Sequence, residues 1–250
     1  MIFVRSAVYF LWFVGLSVAL NVGILPALLL PRRFVRFAAR AWCRGQLWGL
    51  RTIAGLSCEV RGEIPPPGAL VAAKHMSMWD TLALFLLLGN VTIVLKRGLM
   101  LVPFYGWYAL KLRFIFIDRR ARISALRQLA TRARAAVDRG ESILIFPEGT
   151  RKSPGAAPDY KPGVAALYEQ LGRACIPVAL NSGLYWTGPA GFLKRPGKVI
   201  VQFLPAIPPG LKRRAFMATL EQRIETAMAG LLAEGGAPLR DRNTLAEQRP

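Results

Sequence analysis

From residue 56 onward the chain alternates short β-prone apolar runs with longer helical stretches, and this alternation limits the fold more than any other feature. It is the pattern of an α/β sheet whose strands are joined by crossover helices. Candidate strands fall at 57–60, 69–73, 91–95, 113–117, 142–146, 175–180 and 198–203, and candidate helices at 77–89, 99–111, 121–139, 162–172 and 211–234. One catalytic domain over 56–235 accommodates them, followed by a polar tail at 236–250. Pro65-Pro66-Pro67-Gly68 and the Pro/Gly-rich stretch 153–158 punctuate loops, and no internal repeat is present.

The segment before this domain has a different character. Residues 7–30 carry no formal charge and are dominated by Leu, Val, Ala, Phe and Trp. A bilayer core needs about 20 apolar residues, so the segment is long enough to cross one. A cleaved signal peptide does not fit, because Pro31-Arg32-Arg33 follows instead of a small-residue cleavage site. Asn21, Gly23 and Pro26 favour a kink or re-entrant bend, which leaves spanning and monotopic insertion both open. Next come Arg32, Arg33, Arg36, Arg40, Arg44 and Arg51, interleaved with Phe34, Phe37, Trp42 and Trp48 and without an acidic residue among them. This reads as an interfacial basic helix, or as the second arm of a helical hairpin packed on the first. Residues 1–55 are thus a membrane-associating segment, and the arginine excess puts the remainder on the cytoplasmic side of the cell (inner) membrane.

With 34 basic and 14 acidic residues the net charge is +20, so anionic partners are expected. Nucleic acid and an anionic membrane surface both meet that demand. No nucleic-acid module is recognisable, and charge alone explains neither motif described below, so membrane phospholipids are the expected partner and nucleic acid is not. Cys43, Cys58 and Cys175 form no metal or disulfide pattern and point to a reducing compartment.

The single histidine lies in Lys74-His75-Met76-Ser77-Met78-Trp79-Asp80, where an apolar run gives way to a helix. Residues five apart on a helix differ by about 140° in azimuth, so His75 and Asp80 cannot face each other if both are helical. With His75 in the strand-to-helix turn and Asp80 in the first helical turn, the carboxylate reaches back to the imidazole. Asp80 then sets the tautomer, and the other ring nitrogen takes a proton from an attacking hydroxyl. A structural reading fits the same residues, with Ser77 as N-cap and Asp80 closing a capping box.

Two further runs deliver polar groups at strand ends, where open α/β sheets bind ligands. Phe114-Ile115-Phe116-Ile117-Asp118-Arg119 presents Arg119, which either grips a phosphate or pairs with Asp118. In Phe146-Pro147-Glu148-Gly149-Thr150-Arg151, Pro147 and Gly149 make a stiff, close-approaching turn. Glu148 is placed to accept a hydrogen bond from a substrate hydroxyl, with Gly149 beside it, while Thr150 and Arg151 offer donors to an anionic group. Lys96 and Lys161 are further candidates for phosphate, and the apolar stretch 99–110 lines an acyl tunnel or packs in the core.

In their order, the blocks from His75 to Asp80, Phe116 to Arg119 and Phe146 to Arg151, with Ile176-Pro177-Val178-Ala179-Leu180, resemble the glycerophospholipid acyltransferase family, most closely the 1-acylglycerol-3-phosphate acyltransferases. The resemblance implies a mixed sheet flanked by helices, with an N-terminal hydrophobic membrane helix or helical hairpin. It also implies transfer of an acyl group from acyl-CoA or acyl carrier protein to the sn-2 hydroxyl of lysophosphatidate. His75 would be the base, Asp80 its support, and Arg119, Glu148, Gly149 and Arg151 the acceptor site. No metal or other cofactor is expected, because a thioester is activated enough for a base, an oxyanion stabiliser and proximity to suffice. Lys74 stands where the family commonly has Asn; it adds phosphate affinity or acts on the imidazole. That departure keeps another acceptor, such as lyso-ornithine lipid or glycerol 3-phosphate, as the alternative.

Overall fold

Runs too apolar to face water and too short for helices form the middle of the sheet: β2 (Leu70–Ala73), β3 (Val91–Lys96), β5 (Ser142–Ile145) and β6 (Cys175–Leu180). Every residue of β2 and β5 is buried. The computed structural model describes residues 1–118, 122–187 and 191–236, so Arg119 and the tail from 237 to 250 lie outside the described residues. With β1 (Leu56–Arg61), β4 (Ile115–Ile117) and β7 (Gly197–Phe203), the strand order is β1-β7-β6-β2-β5-β3-β4. All neighbours run parallel except β6 and β7, so the sheet is mixed.

Helices α3 (Met78–Leu87), α4 (Tyr105–Lys111), α5 (Arg122–Val137), α6 (Gly163–Leu171) and α7 (Arg213–Glu234) cover the sheet. In α7, Phe216, Leu220, Ile224, Met228 and Leu231 recur every three or four residues, and this stripe is buried. The helix expected at 99–111 is broken: a 3-10 turn covers Arg97–Leu101, and α4 starts only at Tyr105. Pro103 lacks the N–H a helix needs, and Phe104 sits at φ 61°. Likewise the strand expected from 113 begins at Ile115, because Arg113 also has a positive φ of 61°.

The N-terminal segment forms a helical hairpin. Helix α1 (Ile2–Gly23) gives way to a 3-10 turn at Leu25–Leu29, with Pro26 in its first turn, and α2 (Arg32–Gly49) returns alongside. The antiparallel register is read from Trp12 Nε1 donating to the Gly45 carbonyl (3.1 Å) and Trp42 Nε1 donating to Ser17 Oγ (3.0 Å). A Cβ at Gly49 would lie 2.4 Å from the Trp12 ring, so the close approach of the arms requires a glycine there. The basic stripe of α2 is not all interfacial: Arg32 and Arg36 turn to buried Glu141, the residue before β5. Glu141 also accepts from Thr92 Oγ1 and, at 3.1 Å, from Arg139 Nε, fastening the hairpin to the N-terminal edge of the sheet.

Candidate active site

Strand β2 lies between β5 and β6, and all three run parallel, so the loops after them meet at one edge of the sheet. After β2 the chain turns through Lys74 and His75, and α3 begins at Met78 with Ser77 as N-cap. His75 is therefore outside the helix and Asp80 in its first turn. His75 Nδ1 lies 3.0 Å from Asp80 Oδ2, which also accepts from the backbone N–H of Met76 (2.7 Å) and Ser77 (2.9 Å). The capping box is complete as well, so Asp80 holds both the helix start and the imidazole. The two readings of this motif describe one arrangement, because a single carboxylate serves both groups. Across the sheet edge Ser182, just after β6, donates to Asp80 Oδ1 and accepts from Ser77 Oγ at 2.8 Å. The imidazole stacks on the Phe146 ring, with centroids 4.0 Å apart. Its rotation is thus limited on one side by packing and on the other by the carboxylate.

The loop after β5 folds back on itself through a hydrogen bond from Gly149 N–H to the Phe146 carbonyl (2.9 Å). Gly149 has φ 64°, a left-handed conformation that disfavours any residue with a Cβ. Glu148, expected from sequence to meet a substrate hydroxyl, is 1% exposed and meets Lys74 Nζ at 3.0 Å through Oε1. Burial pushes its carboxyl above the ordinary glutamate value, and the Lys74 charge offsets this only in part. Its Oε2 is buried without a hydrogen-bond partner among the described residues. Nor does Lys74 reach toward a phosphate: its ammonium is buried between Glu148 and Glu225 of α7, 2.7 Å from the latter.

A cavity of about 700 Å³ opens over His75 and Phe146. Lys96, Arg151 and Lys161 bring cationic side chains to its lining, Lys161 being paired with Asp159 at 2.5 Å, while Leu99, Leu126 and Leu129 supply apolar wall. Tyr105 also lines it, and burial raises its phenol to about 12. Trp42 of α2, expected at a membrane interface, forms part of the wall, so the N-terminal hairpin contributes to the cavity.

The residues singled out in the sequence thus separate. His75, Gly149 and Arg151 line the cavity. Asp80 stands behind His75, Glu148 is buried against Lys74, Thr150 is exposed outside the lining, and Arg119 lies outside the described residues. Ser182 and Glu225 escaped the sequence reading. The polar pair Asn181-Ser182 directly after an apolar strand is the signal for Ser182; Glu225 carries none, being one acid among several on α7.

An acyltransferase family model matches residues 57–181. A 1-acyl-sn-glycerol-3-phosphate acyltransferase of Pseudomonas aeruginosa is 37% identical over 217 residues, 86% of this chain and 84% of that protein. A lyso-ornithine lipid O-acyltransferase of the same organism is 29% identical over 205 residues, 74% of this chain and 78% of that protein. The crystal structure of the 1-acyl-sn-glycerophosphate acyltransferase PlsC from Thermotoga maritima superposes with a TM-score of 0.76, covering 93% of this chain and 98% of that one. Sequence identity to it is 20%, so that likeness speaks for the fold, a mixed sheet flanked by helices behind an apolar N-terminal helix.

Proposed function

Because the chain belongs to the acyltransferase family, a membership carried by the 57–181 match and the 37% identical relative, we propose that it moves a fatty acyl group from a thioester to the sn-2 hydroxyl of 1-acylglycerol 3-phosphate, forming phosphatidate. The observation that carries the substrate is the cavity over His75, cationic at Lys96, Arg151 and Lys161 and apolar at Leu99, Leu126 and Leu129. A lysophospholipid has the same division between phosphate and acyl chain. With Nδ1–H held by Asp80, His75 Nε2 takes the proton of the sn-2 hydroxyl as its oxygen attacks the thioester carbonyl. The tetrahedral intermediate then expels the thiolate, which receives the proton back from the imidazolium. Both reactants are held by the protein, so no covalent enzyme intermediate and no metal are needed. Acyl-CoA and acyl carrier protein both suit a chain of net charge +20 as donors.

The hairpin favours monotopic attachment, and the arginine excess after the apolar helix favours the cytoplasmic side of the inner membrane. Helix α1 is 22 residues long and apolar, and 11% of its most apolar window is buried. It also stays in contact with the domain at both ends: Ser6 Oγ accepts from Lys194 N–H at 2.9 Å, and the Asn21 carbonyl accepts from the Tyr108 hydroxyl at 2.8 Å. These contacts favour a helix that lies along the domain over one that leaves it to cross a bilayer. Its outer residues, among them Phe3, Leu11 and Val18, are then the ones that enter lipid, with Phe37, Leu101 and Trp107 as further exposed apolar groups.

The relative named for lyso-ornithine lipid favours a second acceptor, one without phosphate. The three cations lining the cavity argue for the first. Detergent-solubilised protein should be assayed with acyl-CoA and with acyl carrier protein thioester, against lysophosphatidate and lyso-ornithine lipid, beside folded His75→Ala and with and without chelator. Phosphatidate from wild type, none from His75→Ala, and indifference to chelator is the expected result. A preference for lyso-ornithine lipid would transfer the assignment to the second acceptor.

A further inference from the structure

The residue preceding the proposed base is bound into a buried cluster that joins four parts of the chain. Lys74 is 3% exposed, with Nζ 3.0 Å from Glu148 Oε1 and 2.7 Å from Glu225 Oε1. The Tyr160 hydroxyl donates to the same Glu225 oxygen at 2.7 Å, and its ring lies 5.7 Å from the ammonium. The backbone around the cluster is tied too: Lys74 N–H donates to the Val178 carbonyl (3.0 Å), and Lys152 N–H donates to the His75 carbonyl (2.9 Å). One ammonium therefore links the turn that carries His75, the loop that carries Gly149 and Arg151, the segment around Tyr160, and α7.

A buried ammonium is tolerated only when paired, and so is a buried carboxylate. Glu148 has no other side-chain hydrogen bond among those resolved, and its second oxygen has no partner among the described residues. Glu225 is the better provided of the two, being partly exposed and bonded to Tyr160 as well as Lys74. Removing the ammonium thus affects Glu148 most, leaving an unpaired carboxylate beneath the Phe146–Arg151 turn. That turn relaxes by moving the carboxylate toward water, and Gly149 and Arg151 move with it out of the cavity wall.

We infer that Lys74 is a positioning residue for acyl transfer: through Glu148 it clamps the Phe146–Arg151 loop to the turn that carries His75 and keeps Arg151 and His75 in register across the cavity. The inference rests on the acyl-transfer reading of the site, and its test separates the two.

The test is a double-mutant cycle of Lys74→Met and Glu148→Gln in the full-length detergent-solubilised protein, read in kcat, in KM for each substrate and in hydrogen exchange of residues 146–151. Lys74→Met should lower kcat about 30-fold with the thioester KM within about threefold, and should speed exchange in the loop. Placed on Glu148→Gln, the same substitution should cost at least about fivefold less, because a neutral amide needs no cation. Glu225→Gln, which leaves Lys74 and Glu148 paired one to one, should stay within about threefold of wild type. If Lys74→Met does not accumulate as folded protein, Lys74→Gln, whose amide can still donate to Glu148, replaces it in the cycle. An equal penalty in both Glu148 backgrounds, or wild-type kcat and exchange in the Lys74 variant, would overturn the inference. Coupled exchange without turnover by wild type would uphold the clamp and overturn the acyl-transfer reading.

Discussion

Two buried glutamates bracket β5, and they are held in opposite ways. Glu141, before the strand, is surrounded by Arg32, Arg36 and Arg139, with Thr92 donating as well. Burial alone would raise its carboxyl, but the hydrogen bonds from Arg139, Thr92 and Arg32 outweigh that and hold it at about 2. Glu148, after the strand, has among the described residues Lys74 alone as a hydrogen-bonded partner and an unpartnered second oxygen, and its carboxyl stays raised. The difference follows the two edges of the sheet. At the N-terminal edge both oxygens of the carboxylate are hydrogen-bonded and fasten the hairpin to the domain; at the C-terminal edge, next to the cavity, one carboxylate oxygen has no partner among the described residues. Such incomplete satisfaction is found more often beside functional sites than in the rest of a fold.

Substitutions at the two edges should therefore separate activity from stability. The largest effect is expected from His75→Ala, a loss of turnover of roughly 10⁴-fold with a destabilisation of only about 1 kcal/mol, because the imidazole's one hydrogen bond is to Asp80 and the capping box stays closed without it. Asp80→Asn should lower turnover by roughly 10²-fold and also destabilise by about 1 kcal/mol, because the same carboxylate closes the capping box. Unaltered melting of Asp80→Asn would break the claim that one group serves both purposes.

At the other edge Glu141→Gln should leave turnover within about twofold and destabilise by roughly 2 kcal/mol, seen in denaturant unfolding. Acid sharpens this contrast. The folded carboxyl titrates below the ordinary glutamate value of 4.5, so its contribution is complete above that pH and is lost as pH falls toward about 2. The stability gap between wild type and Glu141→Gln should close over that window. Smallest of all should be Thr150→Ala, within about 0.5 kcal/mol in stability and about twofold in turnover, because its side chain is exposed outside the cavity. A large loss there would mean that the loop meets its substrate from the outer side.

Elements built from local patterns were legible in the chain. Seven apolar runs became seven strands, and Ser77 and Asp80 marked the start of α3. The apolar N-terminal segment bent at Pro26 into a hairpin, as its interruptions suggested. Where the reading failed, a single backbone conformation intervened: Phe104 and Arg113, both with positive φ, shortened a helix and a strand. Neither residue type advertises that conformation.

What the chain determined by itself was thus the content of each loop: a histidine five residues before an aspartate can face it when the helix starts between them, where the same pair inside one helix could not. The order of the strands was settled only by the tertiary structure. By setting β2 between β5 and β6, the fold joined Asp80 to Ser182, Lys74 to Glu148 and, through α7, Lys74 to Glu225. These partners are 102, 74 and 151 residues apart, and no local preference encodes their meeting. They pair because burying charge requires a partner, and only the packed sheet decides which charges are buried together.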